Sequence, residues 1–181
     1  MWILFPILIL ALAGYAIVIY NRLVRDRNRV ANAWSDIDVQ LKRRHDLIPK
    51  LVAAVRQYAK YESATLEGIT RLRLESQRAR AVRDIGGIET SLGQGIRKLF
   101  VLVEDYPELK ASESFIQLQD DISEIENHIQ MARRYYNGAV RALNIRIESF
   151  PDMLLARGFN YVLADYFEIG DPSQRETAGE F

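Results

Sequence analysis

The sequence predicts an all-α protein: an N-terminal transmembrane helix continuing into an elongated antiparallel four-helix bundle. Three observations carry this expectation. Residues 2–20 hold no charge. Beyond them, apolar residues recur at spacings of three and four, the mark of helices with one buried face. Five prolines in 181 residues, and no run of alternating β-branched residues, leave little material for a sheet.

The first element reads WILFPILILALAGYAIVIY from Trp2 to Tyr20. As a helix these residues rise ~28 Å, close to the thickness of a hydrocarbon core. Trp2 and Tyr20 suit the two interfaces. A cleaved signal peptide is the alternative, because Ala11-Leu12-Ala13 resembles a cleavage motif. Against it, no Lys or Arg precedes the apolar run, and the run continues past that point. Only Met1 lies before the span, whereas Arg22, Arg25, Arg27 and Arg29 follow it with Asp26 alone against them. The positive-inside rule then places the N-terminus outside and the remaining chain in the cytoplasm. The same arginines suit anionic headgroups.

No stop signal separates Tyr20 from Asn28, so the anchor is expected to run into the first cytoplasmic helix, ending near Tyr61. Its stripe is Val30, Trp34, Ile37, Leu41, Ile48, Val52 and Val55, and the rung missing between Leu41 and Ile48 is filled by Arg44 and His45. Pro49 follows one turn later and removes the hydrogen bond to the carbonyl of residue 45, which predicts a kink. An interior ion pair beside a kink is the plainer reading of this stretch, and a functional site at the kink is the other. A second helix is expected over Ser63–Val82 and a turn at Asp84-Ile85-Gly86-Gly87. A third should cover Ile88–Glu104, with Gly93 and Gly95 weakening it or admitting a close neighbour. Tyr106-Pro107-Glu108 should end it. The fourth begins with a candidate capping box, Ser114 and Gln117, and carries an apolar stripe from Phe115 to Phe150 before Pro151.

The lengths suggest a topology. The cytoplasmic part of the first helix and the fourth helix are each about 60 Å long, and the two between are about half that. Down a long helix, up and down two short ones and up a long one returns the chain to the membrane. Pairing the long helices antiparallel sets residue n near residue 172 − n. Arg44 then falls near Glu126, Asp38 near Arg133, and Trp34 near Tyr136 and Asn137. Because an unpaired buried charge costs several kcal/mol, the coincidence of charged levels supports the pairing. On this reading Asp38→Ala and Arg44→Ala should each destabilise the fold. The aromatic tail, Phe159, Tyr161, Tyr166 and Phe167, suits an interfacial strip or a cap on the bundle base equally. The polar stretch from Asp171 is expected to be disordered, and its removal to leave the fold unchanged. The implied division is an anchor at 1–21, a helical bundle at 22–157 and a tail at 158–181.

Composition narrows the function. Twenty-four basic and 24 acidic residues give no electrostatic case for nucleic acid. With no Cys, disulfides, thiolate catalysis and lipoprotein anchoring are excluded, and two His make an ordinary zinc site unexpected.

Three segments carry a family resemblance: YNRLVRDRNRVANAWSDIDVQLKRRHDLIPKLV at 20–52, EDYPELKASESFIQLQDDISEIENHI at 104–129, and ARRYYNGAVRALNIRIESFP at 132–151. Together with the anchor and a Tyr166-Phe167-Glu168 motif, they resemble the LemA family of bacterial membrane proteins over nearly the whole chain. The third helix and the end after Asp171 match loosely. The resemblance implies a short outside N-terminus, one span and a cytoplasmic antiparallel helical domain, with no established catalytic activity.

The leading expectation is therefore a non-enzymatic structural or adaptor protein at the bacterial inner membrane, without cofactor. Its partners would be the lipid bilayer, further copies of itself and a second membrane protein. The Gly-rich third helix and the tail are the candidate contact regions. The structural polar set is Asp38, Arg44, Asp46, Glu126, Arg133 and Asn137, the kink is Pro49, and the membrane-flanking residues are Arg22, Arg25, Arg27 and Arg29. One alternative is a metal-binding bundle enzyme using Glu124, His128 and His45. It lacks the paired Glu-x-x-His pattern of di-iron bundles, since Glu124 and His128 are four apart. Another is a one-span transducer of membrane stress, which would have to sense the bilayer or a neighbouring protein. The glycines at 86–87 and 93–95 resemble no phosphate loop.

Overall fold

The computed structural model describes residues 4–59 and 61–167. The protein is all-α, and no strand occurs among the described residues. Among the described residues six helices follow one another: α1 (Leu4–Tyr58), α2 (Ser63–Arg78), α3 (Val82–Val103), α4 (Pro107–Lys110), α5 (Glu113–Glu148) and α6 (Asp152–Gly158). The apolar N-terminal segment passes into the charged one without a break, since nothing between Tyr20 and Asn28 stops a helix.

Two local expectations are corrected. The break after α2 lies at 79–81, not at 84–87. Ala79 and Ala81 adopt extended backbone, and Gly86 and Gly87 lie inside α3. Gly86 is buried there and Gly87 exposed, so the two are helical positions rather than a turn. The capping box does not form either. Ser114 is already inside α5 with its hydroxyl against that of Ser112, and the Gln117 amide donates to Asp121 one turn further on.

The chain divides into two compact units. The described part of the first comprises 4–37 and 132–165. Ile19, Leu23 and Ala156 form its buried cluster, flanked by Ile147, Leu155 and Tyr161. Its apolar N-terminal stretch is different. Phe5, Ile7, Leu8, Leu10, Leu12 and Ile17 are each at least half exposed. In α1 one segment is long and apolar enough to cross a membrane. Past α6 the chain runs extended along α5 and is held there through its backbone. Asn144 Nδ2 donates to the Ala164 carbonyl at 3.0 Å, and Asn144 Oδ1 accepts from the Ala164 amide at 2.9 Å. The Tyr136 hydroxyl donates to the Asp165 carbonyl at 2.9 Å. Asn160 takes φ 54° at the end of α6, a left-handed conformation that Asn tolerates.

The second unit comprises 38–131 and 166–167 among the described residues. Four helical segments close one core: Ile48, Leu51 and Val55 from α1, Leu66 and Ile69 from α2, Leu92, Ile96 and Leu99 from α3, and Phe115 and Ile122 from α5. Leu109 of α4 completes it. Phe100 meets Phe115 edge-on at 6.3 Å between ring centres. Phe167 is buried, Tyr166 is partly exposed, and the expectation for Asp171 onward falls outside the described residues.

Candidate functional site

Two constellations stand out, one in each unit. In the second unit, the charged interruption in the α1 stripe meets an interruption in α3. Arg44, His45 and Glu89 are all buried. Glu89 sits on the inward face of α3, one turn before Leu92. His45 Nε2 lies 2.6 Å from Glu89 Oε1, and Arg44 Nη1 lies 3.3 Å from Glu89 Oε2. The Ser76 hydroxyl, from the last turn of α2, donates to the same Oε1. Arg44 Nη1 is also 3.4 Å from Glu126 Oε2, and Arg97 approaches Glu126 from outside. Burial pushes the Glu89 carboxyl up. The His45 hydrogen bond, the Arg44 charge and the Ser76 hydroxyl outweigh it and hold Glu89 below its ordinary value.

Glycine makes room for this cluster. A Cβ on Gly93 would stand 2.8 Å from Arg44 Nη2. At Gly95 a Cβ would stand 3.2 Å from the Ile69 side chain. The glycines of α3 thus admit close neighbours within the unit. Gly86 and Gly93 are buried, which removes them from the expected external contact surface.

Pro49 lies inside an uninterrupted α1. Lacking an N–H, it leaves the carbonyl of His45 without its helical donor. Arg73 of α2 supplies one, with Nε 2.7 Å from that oxygen. Arg73→Met should therefore cost about 1 kcal/mol, the lower end of the penalty for stranding an acceptor, since this bond is only part-buried. In a Pro49→Ala background the helical N–H returns and the loss should shrink. Chemical denaturation of the four chains in this cycle measures the coupling, and strictly additive effects would refute the link.

The remaining sequence-selected residues differ in exposure. Asp38 is exposed, so the expectation that Asp38→Ala strands a buried charge is corrected. That substitution should change stability by no more than about 0.5 kcal/mol in thermal melts. Asp46 is exposed too and lines a shallow cleft with Arg43, Asp121 and His128. Arg133 and Asn137 are half-buried on α5. The proposed metal trio is not assembled. His45 is committed to Glu89, while His128 lies on the surface 4.0 Å from Glu124. No group of three or more His, Cys, Asp or Glu placed to hold a metal occurs among the described residues.

In the first unit, Asp26 is buried and receives Arg146 Nε at 2.5 Å, with Asp152 3.1 Å from Arg146 Nη1. The Asp26 hydrogen bond raises the Arg146 pKa from its ordinary value, more than burial lowers it. The same unit holds a groove of about 440 Å³, lined by Arg27, Trp34, Tyr136, Leu143, Tyr161 and Leu163 among others. The Arg27 guanidinium sits 5.4 Å above the Tyr161 ring, and Trp34 meets Tyr136 edge-on at 5.6 Å. Phe159 meets Tyr20, where the apolar run ends, in a tilted ring contact with centres 4.8 Å apart. Arg22, Arg25, Arg27 and Arg29 are all exposed.

A family model described as the LemA family matches residues 33–180. The chain belongs to the LemA family. It is 31% identical to Protein LemA of Metamycoplasma hominis over an alignment of 135 positions, covering 72% of this chain and 60% of that protein. It is 24% identical to Magnetosome protein MamQ 2 of Paramagnetospirillum magneticum, covering 82% of this chain and 64% of that one. Magnetosome protein MamQ of Magnetospirillum gryphiswaldense is 22% identical with the same coverage. The chain thus spans about three fifths of the length of the curated relatives it matches. The Arg44–His45–Glu89 cluster lies inside the region matched by the LemA model, whereas the apolar span and Arg27 precede it.

Proposed function

We propose that this LemA-family chain is a membrane-anchored, non-catalytic helical protein that self-associates and scaffolds partners at the bacterial inner membrane. The single observation that supports it best is the exposed apolar segment at the start of α1. Those side chains find no core of their own, and exposed arginines follow them directly. An apolar stretch of that length is stable in lipid and costly in water. The arginine excess after the span favours an N-terminus outside and helical units in the cytoplasm. A domain division of anchor, bundle and tail, at 1–21, 22–157 and 158–181, follows the same logic. Relatives named as magnetosome proteins are consistent with work at a membrane.

Arg44, His45 and Ser76 converge on Glu89 inside a core, with Arg44 Nε and Nη2 lacking a hydrogen-bond partner among the described residues, and this convergence on one carboxylate suits a structural role better than turnover. Anchoring also confines copies to a plane, which raises their effective concentration and favours side-by-side assembly. The further partner, on this reading, is another membrane protein. The test is extraction of the full chain in mild detergent, followed by light scattering and electron microscopy. Large regular particles are expected. A monodisperse monomer at every concentration would overturn self-association, and release from membranes by alkaline carbonate would overturn the anchor.

A further inference from the structure

We infer that the groove of the first unit binds a fatty acid delivered from the bilayer, with its carboxylate on Arg27 and its chain running toward Trp34. The inference rests on the anchored reading for where the ligand comes from. Four observations carry it. The volume, about 440 Å³, falls in the range of small-ligand sites and is narrow for a two-chain lipid. The lining is almost wholly apolar and aromatic, and Arg27 is its one charged residue. The Arg27 guanidinium carbon lies over the Tyr161 ring, which holds the cation at the groove, and a guanidinium carries five N–H donors with which to meet an oxyanion. At the other end, the Asp165 backbone receives the Tyr136 hydroxyl and the Asp165 charge helps to raise the Tyr136 pKa after burial, so a carboxylate is disfavoured there. Charge therefore sets the orientation of the ligand. Position sets its source, because Arg27 stands only seven residues, about 10 Å of helical rise, past Tyr20.

Trp34 provides the readout. With Trp2→Phe, it is the remaining tryptophan of the chain. It stands 14 residues, about 21 Å of helical rise, beyond Tyr20. Brominated chains that merely dissolve in the bilayer are too far away to quench it. The full chain in phosphatidylcholine vesicles is titrated with dibromostearic acid, and flotation with the vesicles is measured in parallel. Saturable quenching of Trp34 is expected. Arg27→Gln should raise the half-quenching concentration on the order of tenfold, while the exposed Arg22→Gln should not. The methyl ester of the same acid should bind the parent as weakly as the free acid binds Arg27→Gln. A chain that floats but whose Trp34 stays unquenched would overturn the inference. So would equal quenching by acid and ester, or quenching only when the bromines sit on phosphatidylglycerol. Loss of flotation with quenching intact would instead remove the anchor and leave the groove standing.

Discussion

Glu89→Ala should remove about 3–5 kcal/mol of stability, because it leaves Arg44 and His45 buried without their common acceptor. Equilibrium denaturation reads the loss directly, and a change below about 1 kcal/mol would show that the cluster contributes little to the core. Acidity gives an independent check. The folded carboxyl lies below its ordinary value near 4.5, so the unfolded chain binds the proton more readily. Where the unfolded state holds more protons, stability rises with pH. The contribution of Glu89 is thus complete above about pH 4.5 and is lost as pH falls through the lowered folded value. Glu89→Gln, which keeps the shape, should flatten this acid limb. An unaltered limb would place the titration elsewhere.

Phe115→Ala is expected to cost a similar amount, about 3–5 kcal/mol, by opening a cavity where α5 enters the core. The ring is 2% exposed and lies edge-on to Phe100. The melting temperature should fall on the order of 10 °C in circular dichroism. Phe150 supplies the contrast. It is 77% exposed, and Phe150→Ala should stay within about 0.5 kcal/mol of the parent. Equal losses from the two would contradict the assignment of the core.

Much of this architecture was legible in the sequence, for one reason: long helices repeat their apolar residues many times. The stripes through Leu41–Val55 and Phe115–Leu143 each run over several turns, so a single misleading residue cannot hide them. The same reasoning pointed to Arg44 and His45 as foreign to a stripe. It missed their partner because of a boundary. Starting the third helix at Ile88 places Glu89 in a first turn, where an acid is ordinary next to the helix dipole. Starting it at Val82 reveals the run Ile85, Glu89, Leu92, Ile96 and Leu99, in which Glu89 is the intruder. Asp26 was overlooked similarly. Read as one acid among four arginines, it is in fact a rung between Leu23 and Val30 on the inward face of α1.

The chain break at 79–81 had no local signal, since Ala-Arg-Ala favours helix. Asp38 erred the other way. A register rule brings residues to one level but says nothing about which way each points, and Asp38 faces solvent. Arg73 was unreadable in principle, because its partner is a carbonyl freed by a proline 24 positions earlier.

Because Asn144 recognises only the main chain of Ala164, the strip lining the groove is held there whatever side chain stands at 164. Val162 is 80% exposed, and the protein contains no cysteine. A thiol introduced by Val162→Cys would be unique in the molecule. It offers a handle for a dye or a nitroxide at the mouth of the groove without loosening the strip that carries it.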